Sequence, residues 1–471
     1  MGTWYRFRLF AFLAAPIVAA SALTIAPLSV TRISAAIFAV ETAVDTEDEL
    51  ALWMALDLDS SGAPHVSYLN WTSLDLWYAR KAAGAWEFEK VHSVPGRYFG
   101  AYNSIAADAN GNPHISYQDG NNRFLMYATK ADGTWQIEVA DASPEVVGYY
   151  TSIQIDAAGN PHVGYQDWNE RGLKYARKIG GVWLVENADP SPLLAGNDAD
   201  FALDAQGNPH MSHHDDTNRD LLYTRKLGGV WTTEVAFGVG SVGDYSSIAI
   251  DAQGNPHISC YHRTERTLLY AHKTGGSWII ERPDGHSDDE GLYTSIALDP
   301  EGNPGISYQN STRRDLKFAR KFAGVWVVQN VDGFEITAGS SSSCQYHSDG
   351  LPHVGYFASP GSNVKYAVGG LATSVGPPTS RGLALRVWPN PAAEGWTEIE
   401  YSAPREERFE IGIFDLTGRR VALLAQPGPA SRSTRWNALD DQGRPVAAGT
   451  YLVRLVSSNG SHDSQRLTLI R

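Results

Sequence analysis

Cysteine is nearly absent from this sequence of 471 residues. The two cysteines, Cys260 and Cys344, fall in different copies of an internal repeat. A disulfide framework requires a larger, patterned set of cysteines, so none is indicated here. We therefore expect two buried free thiols.

Positive charge is also scarce. The chain carries 38 Lys and Arg against 52 Asp and Glu, which gives a formal net charge of −14 and a pI near 5.4. Nucleic acids and anionic membranes bind basic patches, so this balance argues against both classes of partner. The 14 Trp and 22 Tyr residues, together with abundant Gly, favour an all-β protein.

The amino-terminal segment has the pattern of a secretory signal peptide. Arg6 and Arg8 precede the apolar run LFAFLAAPIVAASALTIAPL, and small-residue sites include Ala20-Ser21-Ala22 and Ser34-Ala35-Ala36. A retained membrane anchor is the alternative, but two prolines interrupt the run. We expect residues 1–35 to be removed, and the protein to be secreted or displayed on the outer surface of a bacterium.

A heptapeptide, DAQGNPH, begins at Asp204 and again at Asp251. Related copies place a Pro-His pair or its equivalent at Pro64-His65, Pro113-His114, Pro161-His162, Pro209-His210, Pro256-His257, Pro304-Gly305 and Pro352-His353. The spacings are 49, 48, 48, 47, 48 and 48 residues. A fixed period of this size, found seven times, indicates a repeat architecture.

Each repeat divides into four short β-runs. In the second copy these are SIAAD, HISYQD, FLMYATK and TWQIEVAD, separated by segments rich in Gly, Asn, Asp or Pro. Four antiparallel strands per repeat of this length are typical of a propeller blade. The sequence therefore predicts a seven-bladed β-propeller over residues 36–368.

The last repeat stops at VKYAV (364–368) and lacks a fourth strand. Fourth strands elsewhere carry Trp and, three residues later, usually Glu, as in Trp135 and Glu138. Phe38 and Glu41 keep this spacing ahead of the first full repeat. We predict that residues 37–44 form the outer strand of blade seven, because this joins both ends of the repeat region in one sheet.

The 48-residue period ends before a separate carboxy-terminal module. Residues 369–383 are rich in Gly, Pro and Ser and predict a linker, and residues 384–471 show the alternation of a small β-sandwich. This module resembles the Ig-like carboxy-terminal modules of exported bacterial proteins, of the flagellar hook-capping and type IX secretion sorting types. The matching residues are Asn390-Pro391, Asp415-LTGRRV, Trp436 with DDQGRPVAAGTY (440–451), and the basic end Arg466 to Arg471. The resemblance implies the export machinery as a partner; a plain structural domain is the alternative.

The repeat pattern SIALD-x-x-GNPHISY-x-D…LKYARK…GG-x-W-x-x-E resembles secreted bacterial propellers of the sialidase-like superfamily with BNR-type repeats, over residues 37–368. That superfamily includes sialidases, ulvan-type polysaccharide lyases and lectin-like binders. The sialidase box Ser-x-Asp-x-Gly-x-x-Trp is absent, since in the nearest stretch, Thr129-KADGTW, Asp132 directly precedes Gly133. No arginine triad is assigned. The lyases share a hairpin followed by a strand with His near its end, which His214 and His262 resemble.

The repeated histidines do not predict a metal site. The column is His65, His114, His162, His210, His257 and His353, with Gly305 in blade six. Six copies spread round a ring are too far apart to bind one metal, so we expect each His to bond its own turn. The Asp-x-x-Gly-Asn-Pro turns lack the acidic spacing of a calcium loop. No cofactor is predicted.

Two other columns should open on the propeller face where the fourth-to-first and second-to-third connections meet. Eleven residues before each Pro stand Trp53, Tyr102, Tyr150, Asp198, Tyr245, Tyr293 and Ser341. Near the end of the second strand stand Leu69-Asn70, Gln118-Asp119, Gln166-Asp167, His214-Asp215, Tyr261-His262 and Gln309-Asn310. Aromatic faces beside amides and carboxylates suit sugar rings. Packing at blade edges is the alternative for each column.

Blades four and five depart most from the repeat. Their unusual residues are Asp198, Asp200, His213, His214 and Asp215 in blade four, and Cys260, Tyr261, His262 and Arg263 in blade five. Such groups could abstract a proton and neutralise a carboxylate, as a polysaccharide lyase requires. The candidate catalytic residues are therefore His214, Asp215, His262 and Arg263. A hydrolase needs paired carboxylates, for which Asp198 or Asp200 with Asp215 is the candidate.

These observations favour non-catalytic recognition of a glycan or polysaccharide. The candidate ligand-binding residues are Trp53, Tyr102, Tyr150, Asp198, Tyr245, Tyr293, Gln118, Asp119, Gln166, Asp167, Tyr261 and Gln309. A polysaccharide lyase or glycoside hydrolase, and a surface protein that binds another protein or has a structural role, are the two alternatives.

Overall fold

The computed structural model describes residues 38–44, 51–144, 146–189, 195–284, 288–322, 324–333, 337–359, 363–370, 384–388, 396–402, 409–415, 419–424, 433–457 and 462–470. The predicted signal peptide, and all of the predicted linker after residue 370, lie outside these residues. Regular structure in the described part is β throughout, and this part holds no helix long and apolar enough to cross a membrane. The chain divides into two compact units, Met1–Ala372 and Thr373–Arg471.

The first unit is a seven-bladed β-propeller, as predicted, in which each blade is a four-stranded antiparallel sheet. Its first strand in the chain is β1 (Phe38–Val44). Blades one to three hold β2 (Ala51–Leu58), β3 (Pro64–Asn70), β4 (Asp75–Ala82), β5 (Ala85–His92), β6 (Phe99–Ala107), β7 (Pro113–Asp119), β8 (Phe124–Ala131), β9 (Thr134–Asp141), β10 (Val147–Ile155), β11 (Pro161–Asp167), β12 (Gly172–Ile179) and β13 (Val182–Asn187).

Blades four to six follow the same order of strands. They hold β14 (Ala195–Leu203), β15 (Pro209–Asp215), β16 (Leu221–Leu227), β17 (Val230–Phe237), β18 (Val242–Ile250), β19 (Pro256–His262), β20 (Thr267–Thr274), β21 (Ser277–Glu281), β22 (Glu290–Leu298), β23 (Pro304–Asn310), β24 (Asp315–Phe322) and β25 (Val325–Asp332). Blade seven has three strands of its own, β26 (Thr337–Tyr346), β27 (Pro352–Ser359) and β28 (Asn363–Gly369).

The fourth strand of blade seven is β1, as predicted. It runs antiparallel to β28, with register from Phe38 opposite Gly369 to Val44 opposite Val364. The sheet order is therefore β1-β28-β27-β26. Because an open edge of β28 would otherwise face solvent, this pairing completes the blade and joins the two ends of the repeat region.

The Asp-x-x-Gly turn between the first two strands of a blade is fixed by its aspartate. In blade two the Asp108 carboxylate accepts the backbone N–H groups of Asn110 and Asn112 at 2.9 and 2.8 Å. Gly111 has φ +78°, the left-handed conformation that glycine adopts without a steric cost. Blades one to six share this Asp and Gly at this spacing, whereas in blade seven His347 replaces the aspartate and Asp349 accepts a backbone N–H of the turn.

The repeated histidine belongs to this scaffold. In blade four the ring of His210 hydrogen-bonds the Tyr223 hydroxyl at 2.6 Å, and its other nitrogen faces the turn carboxylate of Asp204 at 3.4 Å. His210 is buried, and burial lowers its pKa, which favours the neutral ring. His65 and His162 bond their own turns in the same way, whereas His114, His257 and His353 hydrogen-bond a Tyr hydroxyl instead, so the prediction holds for three of the six histidines.

Neighbouring blades are clamped by a Lys, a Trp and a Glu. In blade two Lys130 and Trp135 both donate to Glu89 of blade one, the indole nitrogen at 3.0 Å. Apolar clusters that combine residues of adjacent blades, such as Tyr127 with Val147 and Val163, fill the space behind each clamp. Burial between blades, more than within one sheet, therefore forms the core of this unit.

The junction between blades six and seven lacks this clamp. Gly369 stands where other blades have the Lys, Phe38 replaces the Trp, and Gln329 replaces the Glu. The Phe38 ring instead packs edge-on against Phe318 of blade six at 5.4 Å. On its other side β1 restores the clamp, because Glu41 accepts the indole N–H of Trp86 in blade one at 3.1 Å.

The second unit contains two antiparallel sheets. Its strands are β29 (Ala384–Trp388), β30 (Thr397–Ser402), β31 (Phe409–Asp415), β32 (Arg420–Leu424), β33 (Ser433–Trp436), β34 (Gly449–Ser457) and β35 (His462–Leu469). The sheet orders are β29-β30-β33 and β32-β31-β34-β35, and one hydrophobic cluster joins Ile399 and Trp436 of the first sheet to Val453 of the second. The sorting role stays a prediction, and its matching residues Asn390-Pro391 and Arg471 lie outside the described residues.

Both cysteines of the propeller are buried free thiols, as expected. Cys260 lies in β19 and Cys344 in β26, and neither forms a disulfide. Burial raises the pKa of both thiols. Each therefore behaves as a small apolar residue of the core.

Candidate functional site

The first strand of every blade contains the same irregularity. Each first strand has a β-bulge, a shift in its register against the second strand that spans two consecutive residues. In blade two these residues are Tyr102 and Asn103, between Ala101 and Ser104. The first residue of each such bulge is left-handed, with φ between 45° and 53°. These seven residues, here called the axial ring, are Trp53, Tyr102, Tyr150, Asp198, Tyr245, Tyr293 and Ser341. A bulge redirects its side chain, and here it does so at one end of the seven inner strands.

The axial ring surrounds a cavity of about 260 Å³. The wall consists of the axial ring and the two residues that follow each member along its strand. Aromatic members contact one another: the ring centroids of Trp53 and Tyr102 are 5.0 Å apart, those of Tyr102 and Tyr150 5.1 Å, and those of Tyr245 and Tyr293 4.7 Å. The structure thus brings all seven residues of the first predicted column to one cavity.

Hydroxyl groups below the axial ring hold it in place. In four blades the residue after the ring member is a Ser or Thr that donates to the backbone carbonyl of the ring member in the preceding blade; the Asn103 amide makes this bond to Trp53, and Met54 and Ala199 have no group that could donate it. Thr151 donates to Tyr102 at 2.7 Å, and Thr294 donates to Tyr245 at 2.8 Å. Ser246 and Ser342 make the equivalent bonds at 2.7 Å. The ring backbone is therefore fixed at five of the seven junctions between blades, which pre-organises its side chains.

Two carboxylates of blade four break the pattern of the cavity wall. Asp200 accepts the hydroxyls of Ser152 at 2.7 Å and Ser247 at 2.9 Å, so it is bound from both sides. Asp198 in the axial ring accepts the backbone N–H of Tyr245 at 3.0 Å. Burial raises the pKa of Asp198 to about 6, although the nearby His214 and Arg263 lower it. Asp198 therefore presents an ionisable carboxyl to the cavity.

The second predicted column is buried instead of open. Gln118 and Gln309 donate to backbone carbonyls of the next blade, each at 2.9 Å, and Gln166 donates to Asn197 at 2.5 Å. Asp119 accepts two backbone N–H groups of its own loop at 2.9 and 3.1 Å.

Asp167 and Tyr261, the remaining two candidates of this column, are buried as well. The Asp167 carboxylate accepts the backbone N–H of Asn169 at 3.0 Å, and the Tyr261 hydroxyl donates to Asp289 at 2.7 Å. All six side chains of this column are at least nine-tenths buried. The structure places them in the scaffold of the loops, so none of them lies where a ligand on the open face would contact it.

The four candidate catalytic residues do not form one group. His214 is buried and bonds the Val242 carbonyl at 2.9 Å, and Asp215 is fully buried while accepting two N–H groups of its loop. His262 is fully buried and lies 6.0 Å from the Phe237 ring. Arg263 alone is exposed, and it forms a paired bond with Asp244 at 2.9 and 2.8 Å. Of the four, His214 and Arg263 lower the pKa of Asp198.

Further aromatic residues beside the axial ring were missed by the sequence analysis. They are Trp71, Tyr98, Tyr149 and Trp168 on blades one to three, and they continue the contacts of Trp53 and Tyr102. Trp71 and Trp168 occupy the same loop position two repeats apart. That coincidence was the available signal, but the position carries Gly120, Asp216, Arg263 and Ser311 in the other blades, so no column was apparent.

The described residues include no group of three or more His, Cys, Asp or Glu side chains placed to bind a metal ion. The polar groups of the cavity are hydroxyls, backbone amides and the Asp198 and Asp200 carboxyls. Such groups suit hydrogen bonding to a hydroxyl-rich ligand.

No protein-family model matches this sequence, and no curated protein matches it. Solved propeller structures are similar in fold. An ulvan lyase of a polysaccharide lyase family, solved with a glucuronate–sulfated rhamnose fragment, is 15% identical, with a TM-score of 0.50 over 69% of this chain and 94% of the lyase. A lectin from Aleuria aurantia is 14% identical, with a TM-score of 0.41 over 62% of this chain and 99% of the lectin. The intramolecular trans-sialidase from Ruminococcus gnavus is 11% identical, with a TM-score of 0.40 over 71% of this chain and 98% of that enzyme. At these identities the similarity concerns the propeller fold.

Proposed function

We propose that this protein is an exported, non-catalytic recognition protein that binds a glycan through the axial ring. The observation that carries the proposal is the left-handed backbone of all seven ring members, none of which is glycine. A non-glycine residue in this conformation costs of the order of 1 kcal/mol or more. Glycine would relieve this strain, yet all seven positions carry a side chain, and five of these are aromatic. We infer that the side chains themselves are needed.

The chemistry of the cavity fits a sugar. Pyranose rings present C–H faces that pack on aromatic rings, and Trp53, Tyr102 and Tyr245 are partly exposed round one opening. Hydroxyl groups of a sugar require paired donors and acceptors, which the Asp198 carboxyl and the hydroxyls of the wall supply. The solved relatives that bind or act on carbohydrates agree with this proposal at the level of fold.

A polysaccharide lyase or hydrolase is less well supported by the positions of its candidate residues. General acid or base catalysis needs a side chain within hydrogen-bonding reach of the substrate. His262 and Asp215 are fully buried, and the two oxygens of Asp215 already accept backbone N–H groups. We therefore propose no catalytic role for His214, Asp215, His262 or Arg263.

The two termini complete the proposal. We propose that residues 1–35 direct export, and that residues 384–471 are a sorting or anchoring module of the Ig-like type implied by the sequence resemblance. The propeller would then be secreted or displayed at the cell surface. Deletion of residues 373–471, followed by fractionation of cells and medium, tests this part, because a module without a sorting role would leave the location of the propeller unchanged.

The binding proposal is tested with the purified protein on an array of neutral and anionic glycans. We expect binding that Tyr245→Ala and Tyr293→Ala each weaken by about tenfold or more, as for aromatic anchors of other interfaces. Phe88→Ala, on an outer strand and 46% exposed, is the matched control and should bind normally.

The same samples are assayed for released unsaturated or reducing ends. Release of product by the wild type that His214→Ala or His262→Ala abolishes would replace the proposal with an enzyme. The absence of binding to every glycan would favour a protein partner or a structural role at the surface.

A further inference from the structure

A continuous aromatic surface extends from the axial ring over blades one to three. It consists of Trp71, Tyr98, Trp53, Tyr102, Tyr149 and Trp168, and we call it the aromatic platform. Centroid distances along it are 6.1 Å from Trp71 to Trp53, 5.0 Å from Trp53 to Tyr102, 4.7 Å from Tyr102 to Tyr149, and 5.0 Å from Tyr149 to Trp168. Tyr98 meets Trp71 edge-on at 5.5 Å.

Both ends of the aromatic platform are open. Trp71 is 42% exposed and Trp168 is 44% exposed. Other blades have small or charged residues at this loop position. In blade two the position is Gly120, and the Tyr98 ring occupies the space there: a Cβ atom on Gly120 would lie 2.0 Å from it. Blades one to three therefore each have an aromatic ring at this loop. In blades one and three it belongs to the loop residue itself, Trp71 or Trp168, and in blade two it is the Tyr98 ring beside Gly120.

Polar groups border the aromatic platform at its outer end. The Arg171 guanidinium lies 5.8 Å from the centre of the Trp168 ring and 3.1 Å from the Asp216 carboxylate. Asn197 also donates to Asp216, at 2.5 Å. A carboxylate, a guanidinium and an amide held beside an exposed indole form the combination that binds the hydroxyls of a stacked sugar.

The opposite half of the face has a different character. On blades four and five Asp198 replaces the aromatic ring member, and Asp244 and Arg263 form a closed ion pair. Among the described residues of these two blades the loop position of Trp71 and Trp168 holds Asp216 and Arg263. Apart from the axial-ring pair Tyr245 and Tyr293, the series of contacting aromatic rings from Trp71 to Trp168 lies on blades one to three, and a chain that follows this series has one course.

We propose that the aromatic platform binds a single extended, uncharged oligosaccharide, which runs from Trp71, across the axial ring at Trp53 and Tyr102, to Trp168. The steps between successive aromatic rings are comparable to the width of one sugar ring, so several consecutive sugars can stack. The inference rests on the proposed function, and it adds the class of ligand, its length and its course.

The charge of the platform favours an uncharged chain. Arg171 is already paired with Asp216, and Asp198 contributes another carboxyl in the axial cavity that the platform crosses. The net charge of −14 also disfavours the approach of a polyanion. A uronate or sulfated chain would have to bring its charges beside these carboxylates.

The test measures affinity by titration calorimetry for malto-, cello- and xylo-oligosaccharides of two to six sugars, with oligogalacturonates of the same lengths as the charged comparison. We expect one uncharged series to bind with a stoichiometry of one and with affinity that rises with chain length. Trp71→Ala and Trp168→Ala should each weaken the longest chain by about tenfold while leaving the shortest unchanged. Trp168→Phe should retain most of the affinity, because it keeps a ring.

Each contrary result separates the two proposals. Affinity independent of length and unchanged in Trp71→Ala and Trp168→Ala, but lost in Tyr245→Ala and Tyr293→Ala, would overturn the platform and leave the axial ring as the binding site. Tighter binding of oligogalacturonates than of every uncharged series would overturn the uncharged class. The absence of binding to every series, together with a negative glycan array, would overturn both proposals.

Discussion

At the scale of single residues, His213 of blade four and Cys260 of blade five each replace a repeated tyrosine, and the neighbours of each differ to match. In blade three the Tyr165 hydroxyl donates to Asp141 of the preceding blade at 2.7 Å. Blade four reaches its equivalent acid, Asp189, through a relay that begins at His213 and passes through two threonines, with steps of 2.9, 2.8 and 2.9 Å. In blade five the hydroxyl–acid pair is replaced by Cys260 and Phe237, which are both apolar. His213 and Cys260 are therefore alternative solutions to packing between blades.

His213 makes a specific prediction about acid stability. Burial lowers its pKa from the ordinary 6.5 to about 4, so between these two values the unfolded chain binds a proton that the folded protein does not. Folding stability therefore falls as the pH drops through this window, by roughly 3 kcal/mol for this residue. His213→Gln keeps a hydrogen-bonding group without a titrating ring, and we expect a smaller loss of Tm between pH 7 and pH 4.5 in thermal melts. An identical loss in the variant and the wild type would contradict this assignment.

Asp198 makes the opposite prediction. Because burial raises its pKa to about 6, the folded protein holds a proton between pH 3.8 and 6 that the unfolded chain releases, and the ionised carboxylate destabilises the fold at neutral pH. Asp198→Asn keeps an acceptor for the Tyr245 N–H group, so we expect a Tm higher by a few degrees at pH 7.5 and little changed at pH 3.5. Glycan binding should weaken in the same variant, since a stabilising change at a binding site commonly reduces function.

At the scale of strands, substitutions in neighbouring blades occur in matched pairs. A serine of the second strand usually bonds a hydroxyl of the next blade's bulge, as Ser116 bonds Thr151 at 2.8 Å. Where the bulge carries Met54, the facing residue of blade seven is Gly355, and a Cβ atom there would lie 2.5 Å from the methionine methyl group. At the equivalent positions blade four has Ala199 and blade three has Gly164, where a Cβ atom would lie 3.0 Å from Phe201. The residue of the second strand and the residue of the next blade's bulge therefore vary together between blades.

The Met54 and Gly355 pair predicts a strong coupling. Gly355→Ser alone should overpack the junction and destabilise the protein by about 1–3 kcal/mol. Met54→Thr alone should also destabilise it, because it leaves a cavity. The double variant recreates the Ser–Thr pair of other blades, so we expect it to recover most of the loss. Urea unfolding of the four proteins measures the coupling, and strictly additive losses would contradict it.

At the scale of the whole molecule, the ring depends on β1. This strand supplies the outer edge of blade seven, and Glu41 within it clamps blade one, while the junction between blades six and seven has no clamp of its own. The propeller is thus held at its seam by the segment that precedes the first repeat.

Truncation at the seam tests this dependence. A protein that begins at residue 45 should expose the edge of β28 and associate through it, whereas one that begins at residue 38 should stay in the form of the full propeller. Light scattering coupled to size exclusion distinguishes the two, and Glu41→Ala in the longer protein should lower Tm without association. A monodisperse, equally stable protein that begins at residue 45 would show that β1 is dispensable.

The fold could be predicted from the sequence because the repeat occurs seven times. The Pro-His marker fixed the period, and the spacing of Phe38 and Glu41 identified the closing strand. The axial ring followed from its distance to the same marker. The buried second column could not be recognised, because Asp119 and Gln118 have the same polar character whether they face solvent or satisfy loop and strand backbone. The aromatic platform was also beyond a column-based prediction, since Tyr98 reaches it from a different loop than Trp71 and Trp168.

The pairing of β1 with β28 also determines when, during synthesis and folding of the chain, blade seven can be completed. About 320 residues separate Val44 from Asn363, so the first strand to be synthesised must wait for the last. At ordinary rates of synthesis this interval is about 15 to 60 seconds. Throughout it the segment FAVETAV is an unpaired β-strand, able to add to any exposed edge nearby. Completion of the propeller is therefore a late, long-range event, and the interval before it is when the growing chain most needs protection from other chains.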